Sequence, residues 1–297
     1  MRKNSSKMHG VNSLLNRSQS AMEYLMTYGW AILIIAIVLV ALFSLGIFNS
    51  ANFAPRAQPG SCEVLRNSAQ TSLVGQCNGM LPEYVASSSR AEGSVIQANV
   101  TNLPTGKSPR TVTAWIKVLG DTGLNDVFFY YGNGNTGGSF LLWYGGDYPY
   151  PVKVDTWGYV LISPGNAIKN TWVFVAGLYN NSNVTGYIGE NGKLSGPATA
   201  SAPNADTASS TLYISGGTGQ SFNGSIANVQ LYNVSLSEPE LTTLYQEGIG
   251  GAPINVNNLV GWWPLNGNTN DYSGNDNNGV PTNVIYTSAW TSGYSAP

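Results

Sequence analysis

The chain has 297 residues, with 13 Lys+Arg against 15 Asp+Glu and a net charge of -2, so it lacks the basic stripe that nucleic-acid binding needs. Charged residues make up 9%, far below the roughly 25% of ordinary soluble domains, and polarity comes instead from Gly, Asn, Ser and Thr. That composition favours short strands and turns, makes solubility nearly independent of pH, and fits a tail, one hydrophobic element and a single β domain of roughly 200 residues.

Residues 24–48 (YLMTYGWAILIIAIVLVALFSLGIF) carry no charge and are long enough as a helix, at about 1.5 Å per residue, to cross a hydrocarbon core of about 30 Å. Apolar side chains on every face exclude a surface amphipathic helix, and Asn49, Asn52 and Pro55 predict its end. Thr27, Gly29, Ala31, Ala36 and Ala41 permit close approach of neighbouring helices. Arg2, Lys3, Lys7 and Arg17 precede the run, which places the N-terminus in the cytoplasm and the rest of the chain outside.

An acid, Glu23, stands where the apolar run begins, and a plain signal anchor has no use for one there. Residues 17–25 (RSQSAMEYL) resemble the class III signal sequence of archaeal type IV pilin-like proteins. The resemblance implies cleavage by a prepilin peptidase between Ser18 and Gln19, just after Arg17, which makes Glu23 the fifth residue of the mature chain. Ser18 departs from the glycine that most relatives carry before the cut. In this family the carboxylate meets the freed amine of Gln19 on a neighbouring subunit, the cation that an ionised group in an apolar bundle requires. The alternative is a solvated acid at headgroup level, favoured by the helix dipole. The expected layout is a leader over 1–18, a pilin-type transmembrane helix over 19–53, a linker over 54–80 and a β domain over 81–297.

Pro55, Pro59, Gly60, Gly75 and Gly79 mark the linker as a connector. Its two cysteines, Cys62 and Cys77, can pair on an extracellular side, closing a loop of about fifteen residues worth about 3 kcal/mol. Two free thiols or half a metal site are the alternatives, although no further Cys or His lies nearby to complete a site.

Beyond the linker, runs such as TVTAWIKVL, DVFFYYG, SFLLWYG, WGYVLI, WVFVAGLY and SIANVQLYNV, separated by turn residues, predict an antiparallel β-sandwich. Asn191-Gly192 predicts a hairpin turn, and residues 236–245 a short helix with Ser237 at its N-cap and Glu240 closing a capping box. Residues 111–117 (TVTAWIK), 170–178 (NTWVFVAGL), 184–194 (VTGYIGENGKL) and 221–245 resemble the LamG-like, concanavalin A-like jelly roll. Residues 259–280 (LVGWWPLNGNTNDYSGNDNNGV) resemble the strand and loop that open such a domain, yet here they come last. About forty residues cannot bury a core of their own, so one circularly permuted sandwich is expected in preference to a truncated second repeat. Trp262 and Trp263 would then alternate, one inward and one outward, with Leu265 back on the core side.

The resemblance suggests two activities. Asp271, Asn275 and Asp276 offer hard oxygen ligands for Ca²⁺ near where family members often bind it. Against this, Ile226-Ala227-Asn228-Val229 lacks the acids that many relatives carry, a self-satisfied Asx-turn loop is the alternative, and no cofactor is required. Glycan binding would use Trp143, Tyr148 and Tyr150 near the turn at 147–151 (DYPYP), core aromatics being the other reading. No enzyme is expected: the sole histidine, His9, lies in the leader, and no carboxylate pair alternates along one strand. Sequons at Asn99, Asn180, Asn183, Asn223 and Asn233 permit N-glycosylation of an exported chain.

The sequence thus reads as an exported surface filament subunit displaying a LamG-like domain for adhesive or structural roles. Its expected partners are the prepilin peptidase, sister subunits through the helix, the membrane before assembly, and surface glycans. A membrane-anchored, lectin-like protein that does not polymerise is the alternative, and a glycoside hydrolase is the least favoured.

Overall fold

The computed structural model describes residues 9–45, 47–48, 51, 53–120, 123–145, 148–217 and 219–297, with side chains from Met26 onward except Thr27. The chain divides into two units, Met1–Phe53 and Ala54–Pro297.

The first unit contains helix α1 (His9–Ser44). It stops at Ser44 rather than running on to residue 53, just ahead of Gly46 in the sequence, and Leu45 N–H still reaches Ala41 O at 3.0 Å. Glycine costs helix stability and commonly follows a helix end, which accounts for the earlier stop. Arg17, Ser18, Gln19 and Glu23 lie on α1 without a break in its backbone, and their side chains are outside the described residues. Among the described residues no helix is long and apolar enough to cross a membrane. The apolar run of the sequence begins earlier, at Tyr24, than the continuously described side chains, which start at Tyr28.

The second unit opens with β1 (Arg56–Ala57), β2 (Cys62–Arg66), β3 (Thr71–Gly75) and β4 (Leu81–Pro82). Then come β5 (Val85–Ser88), β6 (Val95–Ala98), β7 (Arg110–Val118), β8 (Asp126–Gly132), β9 (Ser139–Tyr144), β10 (Pro151–Asp155) and β11 (Leu161–Asn166). After them lie β12 (Trp172–Tyr179), β13 (Asn183–Glu190), β14 (Lys193–Ser201), β15 (Leu212–Ile214), β16 (Gly216–Gly217), β17 (Gln220–Ser221) and β18 (Gly224–Tyr232). Helix α2 (Glu238–Gln246) precedes β19 (Leu259–Trp263), β20 (Gly279–Thr282) and β21 (Ile285–Thr287).

Two antiparallel sheets face each other. One has seven strands in the order β11-β10-β9-β8-β15-β6-β20; the other has eight, β14-β13-β12-β7-β18-β5-β21, with β19 also paired to β18. The C-terminal segment therefore completes this sandwich and does not begin another. Period-two alternation places Val112, Ala114, Ile116 and Val118 of β7 in the space between the sheets, with Phe129, Tyr131, Phe140 and Leu142 from the facing sheet. Arg110, fully buried, closes one end of that space. It donates to Ser108 O (3.0 Å), Gly106 O (2.6 Å) and Tyr131 Oη (3.0 Å), and lies over the Tyr179 ring at 5.0 Å. The Asn191-Gly192 hairpin forms between β13 and β14, both residues having the positive φ that such a turn demands (50° and 76°).

The two outer faces differ. That of the eight-stranded sheet is covered by three segments of the same chain. Helix α2 starts as expected at Ser237, whose N–H donates to Glu240 Oε2 at 2.7 Å, and lays Tyr245 against Trp115 with ring centroids 5.8 Å apart. Gly189 makes room, since a Cβ there would stand 2.7 Å from the Tyr245 ring. The C-terminal segment adds Trp290, whose carbonyl accepts from Trp172 Nε1 (3.0 Å) and Lys117 Nζ (3.3 Å). Burial holds the Lys117 amine below its ordinary pKa.

Residues 54–80, expected as a connector, form the third cover. The β2–β3 hairpin carries the Cys62–Cys77 disulfide (Cα–Cα 4.9 Å), and Arg66 donates to Ser273 O, Val256 O and Leu259 O at 2.8–2.9 Å. Trp262 and Trp263 alternate as expected: Trp263 enters the core with Leu265, and Trp262 turns away from it. This cover nevertheless buries it to 3% exposure, with its Nε1 donating to Asn228 Oδ1 at 2.8 Å. The run WGYVLI also splits differently from expectation: residues 157–160 make a turn, Leu161 starts β11, and the unanticipated β10 (PVKVD) precedes it.

Candidate functional site

Among the described residues of the second unit, the outer face of the seven-stranded sheet has no counterpart of α2, and only the short β16–β17 hairpin is seen against it, at Val127 and Tyr130. The cross-strand register sets one line of outward residues across six strands: Val280, Gln97, Tyr213, Tyr130, Leu141 and Asp155. A one-residue slip would send this line into the core, so the register alone determines what the face displays. Val127, Tyr130 and Leu141 form a small apolar cluster apart from the main core, with Trp143 and Tyr213 packed on it, and the Tyr130 and Tyr213 rings lie 5.9 Å apart.

Beside Tyr213 the face opens into a groove of about 420 Å³, lined by Arg90, Gly93, Val95, Gln97, Tyr213, Gly217, Gly219 and Ser221. Between Trp262 and the overlying segment on the covered face the space is about 40 Å³. The first volume suits a small ligand or a sugar ring, whereas the second holds water at most. Three of its lining residues, Gly93, Gly217 and Gly219, bring no side chain into the space. Tyr213 is half-buried and Gln97 exposed. Arg90 comes from the turn after β5 and its Nε contacts Asp126 Oδ1 at 3.3 Å; the arginine side chain is 20% exposed and the aspartate fully buried.

The three residues expected to bind sugar do not act together. Tyr148 is 77% exposed, but Tyr150 is buried in the main core at 4%, its ring edge-on to Tyr144. Trp143 lies on the outer face and donates from Nε1 to Asp155 Oδ2 at 3.3 Å. Burial pushes the Asp155 carboxyl above its ordinary pKa, with the Trp143 N–H and the backbone N–H groups of Trp157 and Thr156 opposing. Tyr213, Gln97 and Arg90 were not singled out in the sequence, where the short strand LYI and the single Arg in SSSRAEG carry no motif.

The calcium ligands do not fit a calcium site. Asp271 is buried and both its oxygens are already engaged: Oδ1 accepts from Trp262 N and Ser273 N, each at 2.9 Å, and Oδ2 from Ser273 Oγ (2.8 Å) and Asn277 N (2.9 Å). Asn275 turns its amide into the backbone, donating to Leu259 O and Val260 O at 3.0 Å, and Asp276 is exposed with φ of 57°. Hard cations need several oxygens with free lone pairs converging on one point, and this loop spends them on its own N–H groups. Among the described residues no group of three or more His, Cys, Asp and Glu gathers.

Of the sequon asparagines, Asn99, Asn180 and Asn233 are exposed and Asn183 and Asn223 half-buried. Asn223 differs in that Ser225 of its sequon is buried and bonded to Ser87 Oγ at 3.0 Å. Cys62 and Cys77 are paired as expected.

Two facing antiparallel sheets with a short capped helix on one outer face define a jelly-roll sandwich of the lectin type. The sequence profile of the concanavalin A-like lectin/glucanases superfamily matches residues 90–242, and the chain belongs to that superfamily. Among solved structures, a Bacteroides ovatus protein put forward as carbohydrate-binding is similar at 16% identity and TM-score 0.54, over 75% of this chain and 65% of that one. The heptameric SAP-like pentraxin of Limulus polyphemus is similar at 14% identity and TM-score 0.49, over 68% and 94% of the two chains. Mouse laminin α1 domains LG4-5 follow at 14% and 0.41, over 56% and 46%. At these identities the likeness speaks for the fold alone. No curated protein matches the chain.

Proposed function

We propose that the chain is a type IV pilin-like surface subunit: α1 anchors it in the cytoplasmic membrane and then packs against sister helices, and the sandwich is displayed outside as a glycan-recognising module. The observation that carries this reading is the exposed apolar surface of α1. Trp30 (66% exposed) and Ile34 (59%) lie on one side of the helix and Val40 (69%) and Phe43 (68%) on another, so apolar side chains are exposed on more than one face. Such a surface requires lipid or other helices, since leaving it in water forgoes about 25 cal/mol per Å². The Ser18–Gln19 cut and the Glu23 contact to a neighbour's amine complete the proposed assembly route.

The groove beside Tyr213 supports the recognition half, through an aromatic ring, an amide and a guanidinium among its lining residues. Its described lining residues include no carboxylate, which sets the reading apart from glycoside hydrolysis and its two flanking acids. Electron microscopy of surface filaments with N-terminal sequencing tests the proposal. Filament chains should begin at Gln19, and Glu23→Ala should abolish filaments while leaving membrane insertion intact. An uncleaved, membrane-bound chain that forms no filament would favour the tethered lectin instead.

A further inference from the structure

We infer that the groove selects acidic sugars, with the Arg90 guanidinium receiving the carboxylate of a hexuronic acid residue whose ring lies on Tyr213. The inference rests on the glycan-recognising reading of the face and specifies its ligand. Arg90 is the sole charged side chain among the groove's described lining residues, in a protein where charge is scarce. It is also held in place. Nε contacts Asp126 Oδ1 at 3.3 Å, Nη2 donates to Asn125 O, and Nη1 has no hydrogen-bond partner among the described residues.

A buried carboxylate behind an arginine orients the planar fork and leaves its outer edge for a second acceptor, an arrangement suited to carboxylates. Asp126 is fully buried and so cannot itself meet the ligand. Glu92, in the same turn as Arg90, does not line the groove, so no lining acid opposes an incoming anion. Tyr213 supplies an aromatic surface one strand from Gln97, its cross-strand partner, whose exposed amide can bond sugar hydroxyls. A neutral sugar would use the ring and the amide but leave the guanidinium edge unused. A uronic acid uses all three.

The test uses the full chain in detergent micelles on an array of galacturonic, glucuronic and mannuronic acid oligosaccharides, each beside its methyl ester. The ester keeps ring and hydroxyls and removes only the charge. At least one acid should bind tenfold or more tighter than its ester. Arg90→Gln combined with Asp126→Asn, which avoids stranding a buried carboxylate, should erase that difference, while Tyr213→Ala should weaken acid and ester alike. An equal response to acid and ester, with binding still lost in Tyr213→Ala, would overturn the acid selectivity and leave the sugar-binding face standing. If no oligosaccharide, acid or ester, binds in a Tyr213-dependent way, both fail. Retained acid preference in the double variant would move the selectivity away from Arg90 and overturn the inference.

Discussion

The two outer faces of the sandwich are built from the same kind of antiparallel strands, yet one is roofed by α2, the disulfide hairpin and the Trp290 segment, and the other is left with a groove. On the roofed face the side chains behave as a second core. Trp115 contacts Tyr245, Phe174 and Tyr294 with ring centroids 5.6–5.8 Å apart, and every residue of β7 is buried on both of its sides. On the open face the buried apolar cluster among the described residues is Val127, Tyr130 and Leu141, too small to carry much of the fold. The difference teaches that this protein divides its labour by face: the roofed side holds the domain together, and the open side is free to meet a ligand.

Four experiments would break or sharpen that division. Trp115→Ala, beneath Tyr245, should cost about 3–5 kcal/mol in urea unfolding of the sandwich, because it leaves a large cavity in a close-packed layer. A cost near that of a surface change would mean the roof contributes little. Removing the disulfide by Cys62→Ser with Cys77→Ser should cost about 3 kcal/mol by loop entropy, read as a shift of the same urea midpoint. Glycan binding by the folded fraction should be unchanged if the faces are independent.

The space between the sheets supplies a pH-dependent control. Burial pushes the Tyr131 phenol up to about 12, with Arg110 opposing, against an ordinary value of 10.0. Both folded and unfolded states keep the proton below pH 10, so its contribution to stability is complete there. It is lost as the pH rises towards 12, because the unfolded chain releases the proton first. Burial raises Tyr144 and Tyr232 in the same sense. Stability measured by urea midpoints should therefore be level up to about pH 9 and fall above pH 10. Tyr213→Ala on the open face should have the smallest effect on folding, about 1 kcal/mol or less, and the largest on ligand capture. A large stability loss there would show that the open face also carries the fold.

Much of this architecture can be read from the residues in order. The capping box at Ser237 and Glu240, the Asn191-Gly192 turn and the β-rich apolar runs that form β7, β8, β12 and β18 are local patterns, and they survive into the structure because they depend on neighbouring residues alone. The β10 strand escaped notice because PVKVD is short and starts with proline. Tyr150 was grouped with Tyr148 because nothing in DYPYP distinguishes an inward ring from an outward one when the turn reverses direction.

The recognition groove was not legible for a different reason. Arg90, Gln97, Tyr213 and Ser221 lie on separate strands and turns, and only the register of β6 against β15 and the position of the turn after β5 bring them together. Likewise, the sequence offers Asp271, Asn275 and Asp276 as cation ligands, and the packing of the loop against β19 engages the Asp271 carboxylate and the Asn275 amide with backbone groups while Asp276 stays exposed.

By itself, then, the sequence determined the apolar helix, the sandwich class and the one possible pair of cysteines through composition, periodicity and counting, and the resemblance of residues 259–280 to a domain-opening strand implied the single sandwich. Only the tertiary structure decided which face is roofed and which is open. That choice depends on where segments far apart in the chain come to rest: residues 54–82 and 288–297 both settle on the eight-stranded sheet, where Trp115, Trp172 and Trp262 are buried beneath them and α2.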